Sequence, residues 1–221
     1  KASGNPQDTM GAEELRLLDN AEFALELNCT SLYEEYLCQP LQAFLASYWQ
    51  KNYLTHSYFA GRIPDRFYIG NQFCHLLFPE RKLLFEIIEK AAAEQVKITL
   101  VFSYIREYML DYITELLDEI NRWCEEKRQS VEIVVNDWGM ASLVKKSRRN
   151  LIPSLGILLN KRRKDPRIPF KKGEQKWFER NSLNAGFYRN FLEREYGIQR
   201  FEWESCGYEQ KIHLEKTACI F

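Results

Sequence analysis

The chain has 221 residues, 45% of them hydrophobic, with 31 basic and 31 acidic side chains and a formal net charge of zero. That length suffices for one sizeable core or two small ones, and the charge balance excludes a global field drawing the protein to nucleic acid or an anionic membrane. No apolar run approaches the roughly 20 residues of a membrane span, and the segment from Lys1 to Asp8 lacks the apolar stretch of a signal peptide.

Residues 1–20 are predicted to be a flexible lead-in, with a short helix over Ala12 to Asn20. Phe23 to Leu27 reads as a strand. Thr30 or Ser31 then caps a helix from Leu32, with Glu34 and Glu35 well placed against its dipole. Pro40 interrupts that helix, and Leu41, Phe44, Leu45, Tyr48 and Trp49 form the apolar stripe of its second half. Ala60 to Asp65 carries turn chemistry. From there strands and helices alternate regularly. Arg66 to Gly70 is a strand, and a helix starting at Pro79 runs to about Gln95. Lys97 to Phe102 is a strand, and Ile105 to about Lys127 a long amphipathic helix. Val131 to Val135 is the next strand, ended by Asn136-Asp137 and followed by a short helix to about Lys146. A strand is expected over Ile152 to Leu159, a basic loop over Lys161 to Gly173, and one helix from Gln175 to Tyr196 stopped by Gly197. Arg200 to Glu204 and the run around Ile212-His213-Leu214 close the chain as strands.

This alternation predicts an α/β fold with a parallel sheet and helices packed outside it. A doubly wound sheet and a (β/α) barrel both fit the spacing. No GxGxxG follows any strand, which favours the barrel. About six units are visible, fewer than a closed eight-fold barrel needs, so residues 21–221 read as a single incomplete (β/α) TIM-like barrel domain with a helical N-terminal extension. The terminal run Glu215 to Phe221 is apolar and strand-like, with neither a polar tail nor a turn to close it. Termini are ordinarily polar and exposed, so the sequence is expected to be a piece of a longer chain.

Charge is unevenly spread. The first sixty residues are acidic, whereas Lys145 to Lys172 carries eleven basic side chains against Asp165 alone. Arg162 and Arg163 are the candidate phosphate contacts of this segment, against the alternative of a solvated face. Phe170, Trp177 and Phe178 follow the basic run and do not interleave with it, so a single-strand stacking signature is weak. The six cysteines (Cys29, Cys38, Cys74, Cys124, Cys206 and Cys219) show no CxxC and no compact spacing, which points to reduced thiols in a cytoplasmic protein rather than a disulfide framework. His56, His75 and His213 stand at no metal-binding spacing, and neither a GxSxG elbow nor a Walker loop is present.

In either parallel architecture chemistry gathers past the carboxyl ends of the strands. The residues there are Asn28 and Cys29, Asn71 to His75, Ser103 and Tyr104, Asn136 and Asp137, Asn160, and Glu204 to Cys206. Asn and Asp also end strands simply because they cap the next helix. For Asn136-Asp137 the two readings are evenly matched.

Three segments together resemble the UbiV-like branch of peptidase family U-32. Phe67 to Cys74 is similar to that family's VYLGxxxC strand and exit loop. Ile133 to Gly139 is similar to its xxxxDLG strand end, with Trp138 in place of Leu. Phe201-Glu202-Trp203-Glu204, continuing to Cys219, is similar to its FExE strand and the Arg-Cys segment that follows, although Ala218 stands where Arg is usual. The likeness covers roughly residues 65–221.

The resemblance implies a (β/α) barrel and, in the full-length protein, a 4Fe-4S cluster for which Cys74 and Cys219 are two ligands, with the further ligands beyond residue 221. No metal is expected in the chain as given, because two cysteines cannot hold a cubane. Asn136, Asp137, Glu202 and Glu204 are expected to line the substrate pocket. The implied activity is modification, in some relatives oxygen-independent hydroxylation, of a small molecule or RNA, with a partner of the same family and no membrane. A second reading is a non-redox module that grips RNA or a phosphorylated ligand. A peptidase ranks last, since no nucleophile–base pair or metal-bound water is recognisable.

Overall fold

A computed structural model describes residues 19–146, 148–162, 179–204 and 212, together with the backbone of 218–220. These fall into two compact units. One ends at Gly70 and resumes over Leu77–Thr99; the other comprises Asn71–Leu76 and the chain from Leu100 onward. The expected lead-in and all but the end of its helix lie outside the described residues; Asp19 and Asn20 are helical.

The first unit holds strand β1 (Ala24–Leu27), helices α1 (Thr30–Cys38) and α2 (Leu41–Lys51), strand β2 (Arg66–Gly70), helix α3 (Arg81–Ala93) and the first three residues of β3 (Lys97–Val101). β1 and β2 are parallel, in register from Ala24 opposite Arg66 to Leu27 opposite Ile69. Parallel neighbours cannot be joined by a tight turn, and here α1 and α2 supply the crossover. Pro40 ends one helix and begins the next, as its ring requires. The core is aromatic: Tyr36 meets Phe44 and Phe67 edge-on, with centroids 5.4 and 4.9 Å apart. Buried tyrosines must still satisfy their hydroxyls. Tyr33 donates to the Leu77 carbonyl at 2.8 Å and Tyr36 to Glu94 Oε2 at 2.6 Å. Burial pushes both phenols well above the usual tyrosine range.

The second unit takes the last two residues of β3, then helix α4 (Leu110–Lys127), strand β4 (Val131–Val135), helix α5 (Trp138–Lys145), strand β5 (Leu151–Leu155), helix α6 (Gly186–Phe191), strand β6 (Arg200–Trp203) and strand β7 (Ala218–Ile220). Strands β4 to β7 lie side by side in chain order, every pair parallel. α4 buries Ile113, Leu116, Leu117, Ile120 and Cys124 at helical spacing. It closes with Arg128 in the left-handed region (φ 54°) and a bond from Gln129 N to the Cys124 carbonyl, a Schellman stop made without glycine. No described helix is long and apolar enough to cross a membrane.

Several element boundaries differ from expectation: α1 already begins at Thr30, after Cys29 with no side-chain cap, and α3 begins at Arg81, after Glu80, not at Pro79. α4 begins at Leu110, after a single 3-10 turn over Glu107–Met109. β5 ends at Leu155 and does not reach Leu159. A Cβ on Gly156 would stand 2.1 Å from Asn136 Oδ1, so the side chain of Asn136 packs directly on the backbone just past β5, where only glycine fits. The chain turns there, with Leu159 and Asn160 amides both bonded to the Gly156 carbonyl. The described part of the expected helix over 175–196 is broken into a turn (Ser182–Asn184), α6 and a wider π turn (Leu192–Tyr196). Asn181 and Asn184 cap each other reciprocally and Ala185 is extended, which restarts the helix at Gly186. Gly197 is left-handed (φ 70°) and stops it, as expected. The closing strand is Ala218–Ile220, with Cys219 opposite Glu202; the expected strand around 212–214 falls largely outside the described residues.

Candidate functional site at the carboxyl edge of the second unit

The strand exits of the second unit are laced together by three side chains. Asn136, buried just past β4, donates from Nδ2 to the Phe102 carbonyl at 2.9 Å and accepts from the Leu158 amide at 3.2 Å. It therefore ties the ends of β3, β4 and β5. Asp137 caps α5 by accepting from the Met140 amide at 2.8 Å, and its other oxygen accepts from the Ile105 amide at 2.9 Å. Each carboxylate oxygen thus holds a backbone donor that would otherwise go unmet. Asn160 donates to the Glu202 carbonyl at 3.1 Å, and its oxygen accepts from Ser182 Oγ at 3.3 Å. That brings the β5 exit onto β6.

Two residues read from sequence as serving different ends are paired. Arg162 Nη2 lies 3.2 Å from Glu204 Oε2, and the Arg162 side chain is only 8% exposed. The guanidinium offered as a phosphate contact faces a carboxylate offered as a substrate contact. Arg148, from the same basic run, is also turned inward: it pairs with Asp118 at 2.8 Å and donates to the carbonyls of Thr114, Leu143 and Lys146. Lys146, Arg149 and Lys161 remain exposed. Arg163 lies outside the described residues.

Glu202 is fully buried on β6. From the start of the same strand Arg200 reaches across β5 to Glu132 of β4 at 3.1 Å. Cys219 enters as backbone of β7 in register with Glu202. Cys74 lies in the loop after β2, half-buried, its amide bonded to Asn71 Oδ1 at 3.0 Å. Among the described residues no three His, Cys, Asp or Glu side chains stand where they could hold a metal ion.

The strand-exit residues read from sequence include Tyr104 and the loop that carries Phe73, but as a polar set, and not as exposed rings. Phe73, Tyr104 and Trp138 each stand three residues past the last residue of a strand, and they are 67%, 48% and 38% exposed. Arg106 lies 5.8 Å from the Tyr104 ring centre. Trp138 is backed by Tyr196 at 5.2 Å and Phe191 at 5.9 Å. Tyr108 Oη meets His75 Nε2 at 3.1 Å, which joins the Cys74 loop to the turn before α4. The signal that could have exposed these residues is positional: an aromatic at the third place beyond three strand ends.

No family model, no curated protein and no solved structure matches the chain.

Proposed function

We propose that the chain is part of a U-32-like modifying protein of the cytoplasm, an incomplete (β/α) barrel acting on a small molecule or RNA at the carboxyl edge of its second unit. The observation that carries this reading is the lacing of β3 to β6 exits by Asn136, Asp137 and Asn160. A site needs a frame held within a fraction of an ångström, and these bonds fix the edge from which it would be built. In this role Asn136 and Asp137 position the edge, since their polar atoms hold backbone, and Glu204 presents its partly exposed carboxylate beside Arg162.

The iron–sulfur cluster of the resemblance would supply one-electron chemistry when bound. A cubane takes four thiolates. Cys74 stands at this edge and Cys219 contributes its strand position, so the described residues do not assemble the donor set and no step is derived through it. The test is a form extended past Phe221, purified and reconstituted without oxygen. Bound iron and acid-labile sulfide are expected, lost in Cys74→Ser and in Cys219→Ser and kept in Cys124→Ser. An iron-free protein after reconstitution would overturn the cluster part of the reading.

The second reading, a module gripping RNA or a phosphorylated ligand, draws on the exposed Lys146, Arg149 and Lys161. Phosphate contacts release counterions, so binding to single-stranded RNA should fall steeply with salt. Neutralising Lys161 and Arg149 should flatten that slope. A slope unchanged by both removes this reading.

A further inference from the structure

We propose that Phe73, Tyr104 and Trp138, with Arg106, form a stacking site for a small planar aromatic anion. The inference rests on the preceding reading only for the choice of edge. All four residues belong to the second unit.

Large apolar side chains are ordinarily found singly on a surface, whereas grouped exposed rings mark a binding surface. Their loops are tied together by the fold: the Ile105 amide bonds Asp137, beside Trp138, and Tyr108 Oη meets His75 Nε2 in the loop that carries Phe73. β3 and β4 are neighbours, with the Phe102 amide on the Val134 carbonyl. Adjacent strands are about 4.8 Å apart, and rings interact over roughly 4.5–7 Å between centroids. Neighbouring exits tied by the Ile105–Asp137 bond give the site its width, and one flat ligand would lie across Tyr104 and Trp138.

The backbone that carries the rings is held before any ligand arrives, and Trp138 is packed as well. Trp138 opens α5 directly after its cap, Asp137, and rests on Tyr196 and Phe191. The Asp137 carboxylate also holds the Ile105 amide, next to Tyr104. Asn71 Oδ1 accepts from the amides of Phe73 and Cys74 at 2.9 and 3.0 Å, which fixes that loop. Loops fixed in advance lose little freedom on binding.

The charge of the ligand follows from Arg106. Its guanidinium is exposed beside the Tyr104 ring, and a cation flanking an aromatic face favours a ligand that combines a π surface with an anionic group.

The probe is 2-naphthoate, titrated against this chain by tryptophan fluorescence, with Trp138→Phe reporting how much of the signal belongs to Trp138. 2-Naphthylmethanol tests the charge and cyclohexanecarboxylate tests the planarity. Saturable binding of 2-naphthoate is expected, with the two controls at least about fivefold weaker, in line with a cation–π or stacking contact. Tyr104→Ala should weaken both aromatic probes by roughly five- to thirtyfold, and Arg106→Gln should weaken only the anion. Because all four side chains are exposed, unchanged melting points will confirm folded variants. Equal binding of cyclohexanecarboxylate, or affinity unchanged in Tyr104→Ala and Trp138→Ala, overturns the proposal. So does binding of single-stranded RNA homopolymer without binding of 2-naphthoate. None of these outcomes involves iron, so the result stands apart from the cluster experiment.

Discussion

The two edges of the second unit's sheet both hold backbone with polar side chains, but among the described residues only one also leaves large rings in solvent. At the amino edge charge is spent on the scaffold. Arg148 is buried against Asp118 and three carbonyls, and Asn121 accepts from the Asn150 amide at 3.2 Å just before β5. At the carboxyl edge Asn136, Asp137 and Asn160 hold the backbone, while large rings and Arg106 stand in solvent. Folding alone gains nothing from exposed rings. The difference teaches that one edge is finished by folding and the other is left with unspent apolar surface.

Breaking the amino edge should have the largest effect. Arg148→Ala removes a buried guanidinium with several carbonyl partners and should cost about 2–3 kcal/mol, most of it from those bonds, because Asp118 is half exposed. A lowered urea midpoint with unchanged slope checks it. At the carboxyl edge, Gly156→Ala drives a methyl into Asn136 and should cost about 2 kcal/mol. In an Asn136→Ala background the same change should cost less than about 1 kcal/mol, because its clash partner is gone. Strictly additive costs in the double variant would refute the shared space.

Between the edges, burial pushes the Cys124 thiol up to about 11. The folded thiol then keeps its proton at a pH where the unfolded one has lost it. Stability should therefore fall as pH rises from about 9 to about 11, by on the order of 2 kcal/mol. Cys124→Ala should lack that component in a pH series of unfolding curves. A somewhat smaller change is expected from Asp137→Ala, about 1–2 kcal/mol for the lost cap and the unmet Ile105 amide, with Asp137→Asn recovering part of it by keeping an acceptor. The smallest is the sharpest contrast: Phe73→Ala and Tyr104→Ala should move stability by no more than about 0.5 kcal/mol. A large loss in either would show that these rings are scaffold after all.

Much of the fold was legible because local pattern carried it. The β-branched run Val131–Val135, the helical stripe of α4 and the stop at Gly197 are all signalled within a few residues. What failed was set by distant neighbours. β5 looks long enough to reach Leu159, yet the chain turns at Gly156, on which the Asn136 side chain packs. Lys145 to Lys172 looks like a solvated basic face, yet a sequence cannot say that Arg148 and Arg162 turn inward. Phe67 and Phe73 are the same letter six places apart, one buried in the first unit and one exposed in the second. The polar strand exits were visible as residue types, but their division into backbone holders and exposed rings is a property of packing.

The joint at Arg162 and Asn181 has a different consequence. These residues form an antiparallel bridge, flanked by the Ser182 amide on the Lys161 carbonyl and the Lys161 amide on Ser182 Oγ, at 2.8 and 3.0 Å. The bridge therefore fastens the exit of β5 to the turn that precedes α6, at the base of whatever chain joins them. Closure entropy grows only slowly with the number of residues between two such points, so register at this joint depends on the clamp itself far more than on the length it closes.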